Sequence, residues 1–496
     1  MSMTSGQTKS LAELGLTARA GREAQVTGMA VDSRDVKDGY LFAALPGTRV
    51  HGGEFIQYAL RMGAGAILTD TKGAEIAADE LAASDAALVI AEDPRQALAY
   101  TAALWSGAQP DCVIAITGTN GKTSVATFAR QLWQALGKRA VNLGTTGVEG
   151  DWTAPLSHTT PEPITLHKML AAAAREDVTH AAMEASSHGL AQRRLDGVQL
   201  TAAGFTNFTQ DHLDYHESFE DYFAAKAGLF ARVLPEDGTA VINIDDPRGV
   251  DMLAIARARG QEVITVGRHA ADLCLEGQRF DATGQEIRLS WGGAVYQARL
   301  GLIGGFQAEN ILLAAGLAIA CGAPAGEVFD VLPKMGTVRG RMELAATRDN
   351  GAAVFVDYAH TPDAVSTAIK ALRPHVMGRL VAIVGAGGDR DAGKRPLMGQ
   401  AAAENADLVI VSDDNPRSED PATIRAAVMA GAPEAIEVGD RAEAILRGVD
   451  ALGPGDALLI CGKGHETGQT VGDTIYPFDD VEQASVAVAA LDGKGL

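Results

Sequence analysis

Short, almost wholly apolar runs recur along this chain: AALVIA at 86–91, CVIAI at 112–116, LVAIV at 380–384, LVIVS at 408–412 and ALLIC at 457–461. A strand built from such a run has no polar face, so both of its faces must be covered, and helical patterns separate the runs. That combination predicts mainly parallel sheets layered with helices, an α/β fold. At 496 residues the chain exceeds what one hydrophobic core organises, so two to four domains are expected. We place boundaries near 108, after SGAQPD, and near 338, in GTVRGR, giving segments 1–108, 109–338 and 339–496. Residues 271–300 break the pattern: LCLEGQRF, EIRLSW and AVYQARLG alternate as antiparallel strands do, with glycine-containing turns between them.

Charge narrows the partners. Asp and Glu outnumber Lys and Arg by 63 to 42, and a net charge of −21 repels a polyphosphate backbone, so nucleic acid is not an expected partner. An anionic ligand must be met by locally gathered cations and backbone N–H groups. The four cysteines, Cys112, Cys274, Cys321 and Cys461, have no C-x-x-C spacing, which argues for reduced, buried thiols over a disulfide framework or zinc cluster. The N-terminal MSMTSGQTKSLAELGL lacks a signal peptide's apolar stretch, and ILLAAGLAIACGA from Ile311 is too short to cross a bilayer. A cytoplasmic protein, with no membrane partner, is expected.

The stretch VIAITGTNGKTSVATF, residues 113–128, departs from the usual phosphate-loop pattern, because position 116 is Ile where G-x-x-x-x-G-K-[ST] needs glycine. Gly118 is the early glycine instead. Gly118, Gly121, Lys122 and Thr123 still supply small residues that let backbone N–H groups converge, a lysine for phosphates and a hydroxyl for magnesium. After Lys122, the residues Val125, Phe128, Leu132, Trp133 and Leu136 share a helical face that Gly137 can close. Later helices are expected to open at Thr361-Pro362 and Asp420-Pro421, a capping side chain followed by a proline. The spacing of His212 and His216 suits a zinc-protease helix, but Leu213 stands where that motif needs Glu, and Ser186-Ser187-His188 lacks a hydrolase elbow.

Taken together, GTNGKT, E-A-S-S at 184–187, N-F-T-Q-D-H-L-D at 207–214 and a lysine downstream resemble the Mur ligase family of ATP-dependent amide synthetases. The resemblance implies three α/β domains: a smaller N-terminal uridine-nucleotide domain, a central parallel sheet like that of P-loop ATPases, and a Rossmann-like C-terminal domain. It implies that the loop residues Gly118, Thr119, Asn120, Gly121, Lys122, Thr123 and Ser124 hold ATP. Asn310, Arg341 and Asp357 are implied to hold ATP as well, the last two from a C-terminal domain that closes over the nucleotide. Thr123 and Glu184 are implied ligands of one Mg²⁺ and His212 of a second. Lys226 matches a lysine that the family carboxylates with CO₂, a carbamate able to serve the metals.

VDSRDVKDGYLFAALPGTRVHGGEFIQYALRMGAGAIL at 31–68 is similar to the uridine-nucleotide domain of the member that adds the third residue of the peptidoglycan peptide. By that likeness Val31, Ser33, Thr48 and the loop from Gly47 to Gly52 hold the UDP part of the substrate. Thr159, Thr160, Ser186, Gln192 and Arg194 hold the muramoyl dipeptide. Asp414-Asn415-Pro416-Arg417 is the tetrapeptide associated with meso-diaminopimelate addition, and Arg417 offers a bidentate partner for the far carboxylate that lysine lacks. Arg390, Gly462 and Glu466 complete the implied amino-acid site. The implied enzyme is a monomer acting on small molecules. A lysine-adding relative and a folylpolyglutamate synthase share much of this machinery, and a non-catalytic nucleotide-binding module is a third reading.

Overall fold

The computed structural model of the protein describes residues 7–47, 50–209 and 218–494. These divide into two compact units, one formed by Met1–Gly267 with Leu313–Ala325, the other by Arg268–Leu312 with Gly326–Leu496.

In the first unit, Gly28–Ala30, Tyr40–Ala43, Ala66–Thr69 and Ala87–Ile90 form a parallel sheet in that order. Helix Pro94–Ser106, capped by Asp93, leads on to a larger sheet. Its strand order in this unit is Glu262–Gly267, Thr239–Asn243, Ala202–Phe205, Cys112–Thr117, His180–Glu184, Ala140–Gly144 and Gly147–Gly150. All pair in parallel except the last, which turns back antiparallel. Every residue of Cys112–Thr117 is buried, as its unbroken apolar pattern requires. Helix Lys122–Ala135 buries Val125, Phe128, Leu132 and Trp133. It ends with Gly137 at φ 77° and Lys138 N donating to the Trp133 carbonyl at 2.9 Å, the closure that a C-terminal glycine permits.

The second unit contains a sheet ordered Glu343–Thr347, Ala353–Asp357, Ala457–Cys461, Leu380–Val384, Leu408–Val411 and Ile436–Glu437, parallel except at its first, edge strand. Thr361 and Asp420 cap the helices Pro362–Leu372 and Pro421–Met429. The predicted meander is Leu273–Asp281, Gly284–Trp291 and Ala294–Leu300. Its second turn passes through Gly292 and Gly293 at φ 56° and 82°, as a two-residue hairpin loop demands. The first turns through Ala282-Thr283 instead of a glycine, and the Asp281 carboxylate secures it by accepting from Thr283 N at 2.8 Å.

All four cysteines are free thiols; Cys112 and Cys461 are buried, whereas Cys274 and Cys321 are only half-buried, a correction to the expectation that all are enclosed. Among the described residues no helix is long and apolar enough to cross a membrane.

Candidate active site

Cys112–Thr117 delivers the phosphate loop to the carboxyl edge of its sheet, where the parallel neighbour His180–Glu184 ends in Glu184. Gly118 sits at φ 146° and Gly121 at φ 87°. A Cβ on Gly118 would lie 1.8 Å from Thr206 Oγ1, so only glycine lets the loop pass this side chain. Thr119 N donates to the Asn207 carbonyl (2.9 Å), Asn120 N to Asn207 Oδ1 (2.9 Å), and Thr206 Oγ1 to the Asn120 carbonyl (2.6 Å). Two N–H groups expected to converge on a phosphate are therefore spent on anchoring the loop. The first turn of helix Lys122–Ala135 is what remains to present N–H groups to an anion. Lys122 Nζ folds back to donate to the Gly118 and Thr119 carbonyls, each at 2.9 Å.

Glu184 is 2% exposed. Its Oε2 accepts from Thr123 Oγ1 at 3.0 Å and Thr145 Oγ1 at 3.3 Å, and its Oε1 from Thr145 N at 2.8 Å. A side chain on Gly144 would overlap this carboxylate at 2.0 Å. Thr123 and Glu184 thus place a hydroxyl and a carboxylate together, hard oxygen donors of the kind Mg²⁺ takes. Among the described residues no three His, Cys, Asp or Glu side chains gather as a metal cluster. Lys226, 1% exposed, donates to the Gly118 carbonyl at 2.7 Å and lies 4.5 Å above the Tyr222 ring.

Most of the residues assigned to the dipeptide are linked by hydrogen bonds to the backbone and neighbours of Glu184. Thr160 Oγ1 donates to the Glu184 carbonyl (2.8 Å) and accepts from Ser186 N (3.0 Å), while Thr159 and Thr145 share a hydroxyl contact at 3.1 Å. Arg194 reaches the Thr160 carbonyl and Gln192 Oε1. Farther back, Ser33 opens the turn Ser33–Asp35, and Val31 is exposed. A Cβ on Gly52 would meet the backbone of Ala44 and Leu45 within 2.7 Å, so this loop approaches its strand too closely for any other residue. Thr48 and His212 lie outside the described residues.

Three family profiles match the chain: one described as the catalytic domain of the Mur ligase family at residues 25–106, the Mur ligase middle domain at 116–318, and the Mur ligase glutamate ligase domain at 340–464. The chain belongs to the Mur ligase family. Mur ligases are ATP-dependent, and the chain is an enzyme of that class. It is 47% identical to the UDP-N-acetylmuramoyl-L-alanyl-D-glutamate–2,6-diaminopimelate ligase of Agrobacterium fabrum, over 95% of each chain. It is 49% identical to the protein of the same name from Bradyrhizobium diazoefficiens, over 94% of this chain and 95% of that one. A solved structure of a ligase with that name superposes with a TM-score of 0.72 at 33% identity, covering 98% of this chain and 99% of the other. A folylpolyglutamate synthase from Mycobacterium tuberculosis shares the fold at 20% identity, with a TM-score of 0.62 over 81% and 95% of the two chains.

The C-terminal unit of this Mur ligase carries its assigned residues on loops at the carboxyl ends of neighbouring parallel strands: Asp357, Gly385 to Arg390, Asp414 to Arg417, and Gly462 to Glu466. Asp357 accepts from Met342 N (2.7 Å) and Ala359 N (2.9 Å); burial pushes its carboxyl up, against the pull of Arg341. Arg341 stacks 4.8 Å above the Tyr358 ring, which also packs against His360 and His465. Among the described residues Arg341 Nε and His465 Nδ1 are buried without a hydrogen-bond partner, an arrangement suited to a polar or anionic ligand. Burial and the Arg341 charge press His465 down to about 4, so its ring is neutral.

Asp414 and Asn415 are buried, and Gly462, at φ 115°, leaves room for the Asp414 carboxylate, which a Cβ would meet at 2.4 Å. Arg417 Nη1 donates to the Gly388 carbonyl at 2.7 Å, and the exposed Arg390 lies against Gly387 beside it. Asn310, in helix Phe306–Ala320, donates to Gln307 Oε1 at 3.1 Å. Three residues of these sites carry no sequence signal of their role: Thr145, whose GTTG context is an ordinary turn sequence; Tyr358, which directly follows Asp357; and Lys463, which stands between two glycines.

Proposed function

We propose that this enzyme adds meso-diaminopimelate to the D-glutamyl γ-carboxylate of UDP-MurNAc-L-Ala-D-Glu, with cleavage of ATP to ADP and phosphate, in cytoplasmic peptidoglycan precursor synthesis. The observation that carries the reading is the DNPR loop: Arg417 and Glu466, a cation and an anion, are secured at the carboxyl edge of one sheet in a chain 47% identical to a diaminopimelate ligase. The far end of diaminopimelate is a carboxylate and an ammonium, and lysine offers only the second.

In this reading residues 1–108 hold the uridine nucleotide, 109–338 hold ATP and the dipeptide, and 339–496 hold the amino acid. The γ-carboxylate oxygen attacks the γ-phosphorus, the bond to the ADP oxygen breaks, and an acyl phosphate forms. The amine nitrogen then attacks the acyl carbon, and inorganic phosphate leaves with one oxygen of the original carboxylate. Two anions must meet in the first step. Lys122 and the N-terminus of its helix offset their repulsion, and Arg194 holds the dipeptide through a guanidinium fork. Thr123 and Glu184 would hold one Mg²⁺, with His212 serving a second, and the ions would neutralise charge on the transferred phosphoryl group. Lys226 is buried against the loop carbonyl where carboxylation by CO₂ would exchange a cation for an anion; mass spectrometry of the intact active enzyme without an added 44 Da would refute that modification.

Incubation with ATP, the UDP-linked dipeptide and either diaminopimelate or lysine tests the reading. Phosphate release that requires diaminopimelate is expected, with oxygen-18 from the γ-carboxylate recovered in the phosphate. Release driven equally by lysine, or no transfer of label, would overturn it.

A further inference from the structure

The side chain of Lys463 is fully buried, and its ammonium ties together three separate pieces of the amino-acid loops. It donates to Asn415 Oδ1 at 3.0 Å, to Glu466 Oε2 at 3.3 Å, and to the Gly468 carbonyl at 2.5 Å. Asn415 is committed at both ends of its amide: Oδ1 also accepts from Thr470 N at 2.9 Å, and Nδ2 donates to Glu466 Oε2 at 2.8 Å. Asn415 thus braces the direct Lys463–Glu466 pair, its Nδ2 and the Lys463 ammonium both donating to Glu466 Oε2.

The third tie reaches Arg417. Gly468 begins the strand Gly468–Val471, whose Thr470 carbonyl accepts from Arg417 N at 3.0 Å; Gly472 N, just beyond, donates to the Arg417 carbonyl at 2.7 Å. Arg417 stands at φ 51°, a conformation a non-glycine residue keeps only when its surroundings impose it. One buried ammonium therefore connects, through hydrogen bonds, the residue assigned to the far carboxylate with the residue assigned to the far ammonium.

We infer that Lys463 is a specificity-determining positioning residue, which fixes the separation between Arg417 and Glu466 and so matches the site to an amino acid whose far end carries both charges. The inference rests on the function proposed above. Charge-assisted bonds to buried partners resist displacement, and a neutral replacement lets the two loops and the strand shift independently. A loosened pair still meets lysine's single ammonium but no longer meets carboxylate and ammonium together.

The test compares wild type with Lys463→Met, which keeps the stem and removes the charge. Lys463→Gln, which retains a donor for Asn415, serves as the second variant if the first melts below the assay temperature. KM for meso-diaminopimelate should rise about tenfold or more, KM for ATP should stay within about twofold, and the preference for diaminopimelate over lysine should fall about tenfold. A purely structural role would raise both KM values together and leave the preference unchanged, and that result overturns the inference. An inactive wild-type enzyme would instead remove the proposed function and this inference with it. An active wild type whose variants keep their preference removes the inference alone.

Discussion

At the scale of single residues, charge decides what each side chain contributes. Lys122 is bound to two loop carbonyls that it must exchange for phosphate oxygens, so its loss removes a contact needed when the phosphoryl group moves. Lys122→Ala should lower substrate-dependent phosphate release about a hundredfold, a cost of about 3 kcal/mol; near-normal turnover would take the loop out of the chemistry. Arg417→Ala should act elsewhere, raising KM for diaminopimelate about tenfold or more while KM for ATP holds, measured by varying each substrate in turn. Both residues could be read from the sequence, because a glycine-lysine-threonine turn and a DNPR tetrapeptide carry their chemistry in their spelling. Lys463 could not. A lysine between two glycines gives no sign that its side chain turns inward, and only the tertiary fold brings Asn415, Glu466 and the Gly468 carbonyl to it.

At the scale of elements, two glycines with positive φ separate what a loop needs from what a helix end merely prefers. Gly118→Ala drives a methyl group against Thr206, a residue that also holds the Asn120 carbonyl, so the loop must move from its anchor. KM for ATP should rise about tenfold or more, and the thermal midpoint should fall. Gly137→Ala meets nothing within 4 Å and suffers only its left-handed backbone. It should cost about 1 kcal/mol in a denaturant melt and leave the kinetics unchanged. Equal kinetic effects of the two substitutions would contradict this distinction. The strand before the loop and the helix after it were legible, since apolar runs and a 3.6-residue period are local signals. The role of Thr206 and Asn207 was not, because it depends on a strand about ninety residues downstream lying beside the loop's own, and nothing local encodes that pairing.

At the scale of the whole molecule, buried histidines make stability fall as pH drops below the 6.5 of an exposed imidazole. His167, on helix Pro163–Arg175, is 2% exposed, and among the described residues its Nε2 has no hydrogen-bond partner. Burial presses its pKa from 6.5 down to about 4. Between those values the unfolded chain binds a proton that the folded chain refuses, so stability is lost as pH falls from 6.5 towards 4, on the order of 3 kcal/mol in all. His465 in the second unit acts in the same direction. His167→Leu removes the proton acceptor without removing the apolar bulk. At pH 7.5 it should be neutral or slightly stabilising, because no hydrogen bond from Nε2 is lost. At pH 5.0 it should exceed the wild type by about 2 kcal/mol, since 1.5 pH units below 6.5 the wild type bears most of that proton penalty and the variant bears none. Urea melts followed by tryptophan fluorescence report the right unit, since Trp105, Trp133 and Trp152 lie in the first unit with His167 and only Trp291 in the second. A stability difference between variant and wild type that stayed the same at both pH values would show that His167 takes up its proton in the folded protein as readily as in the unfolded chain.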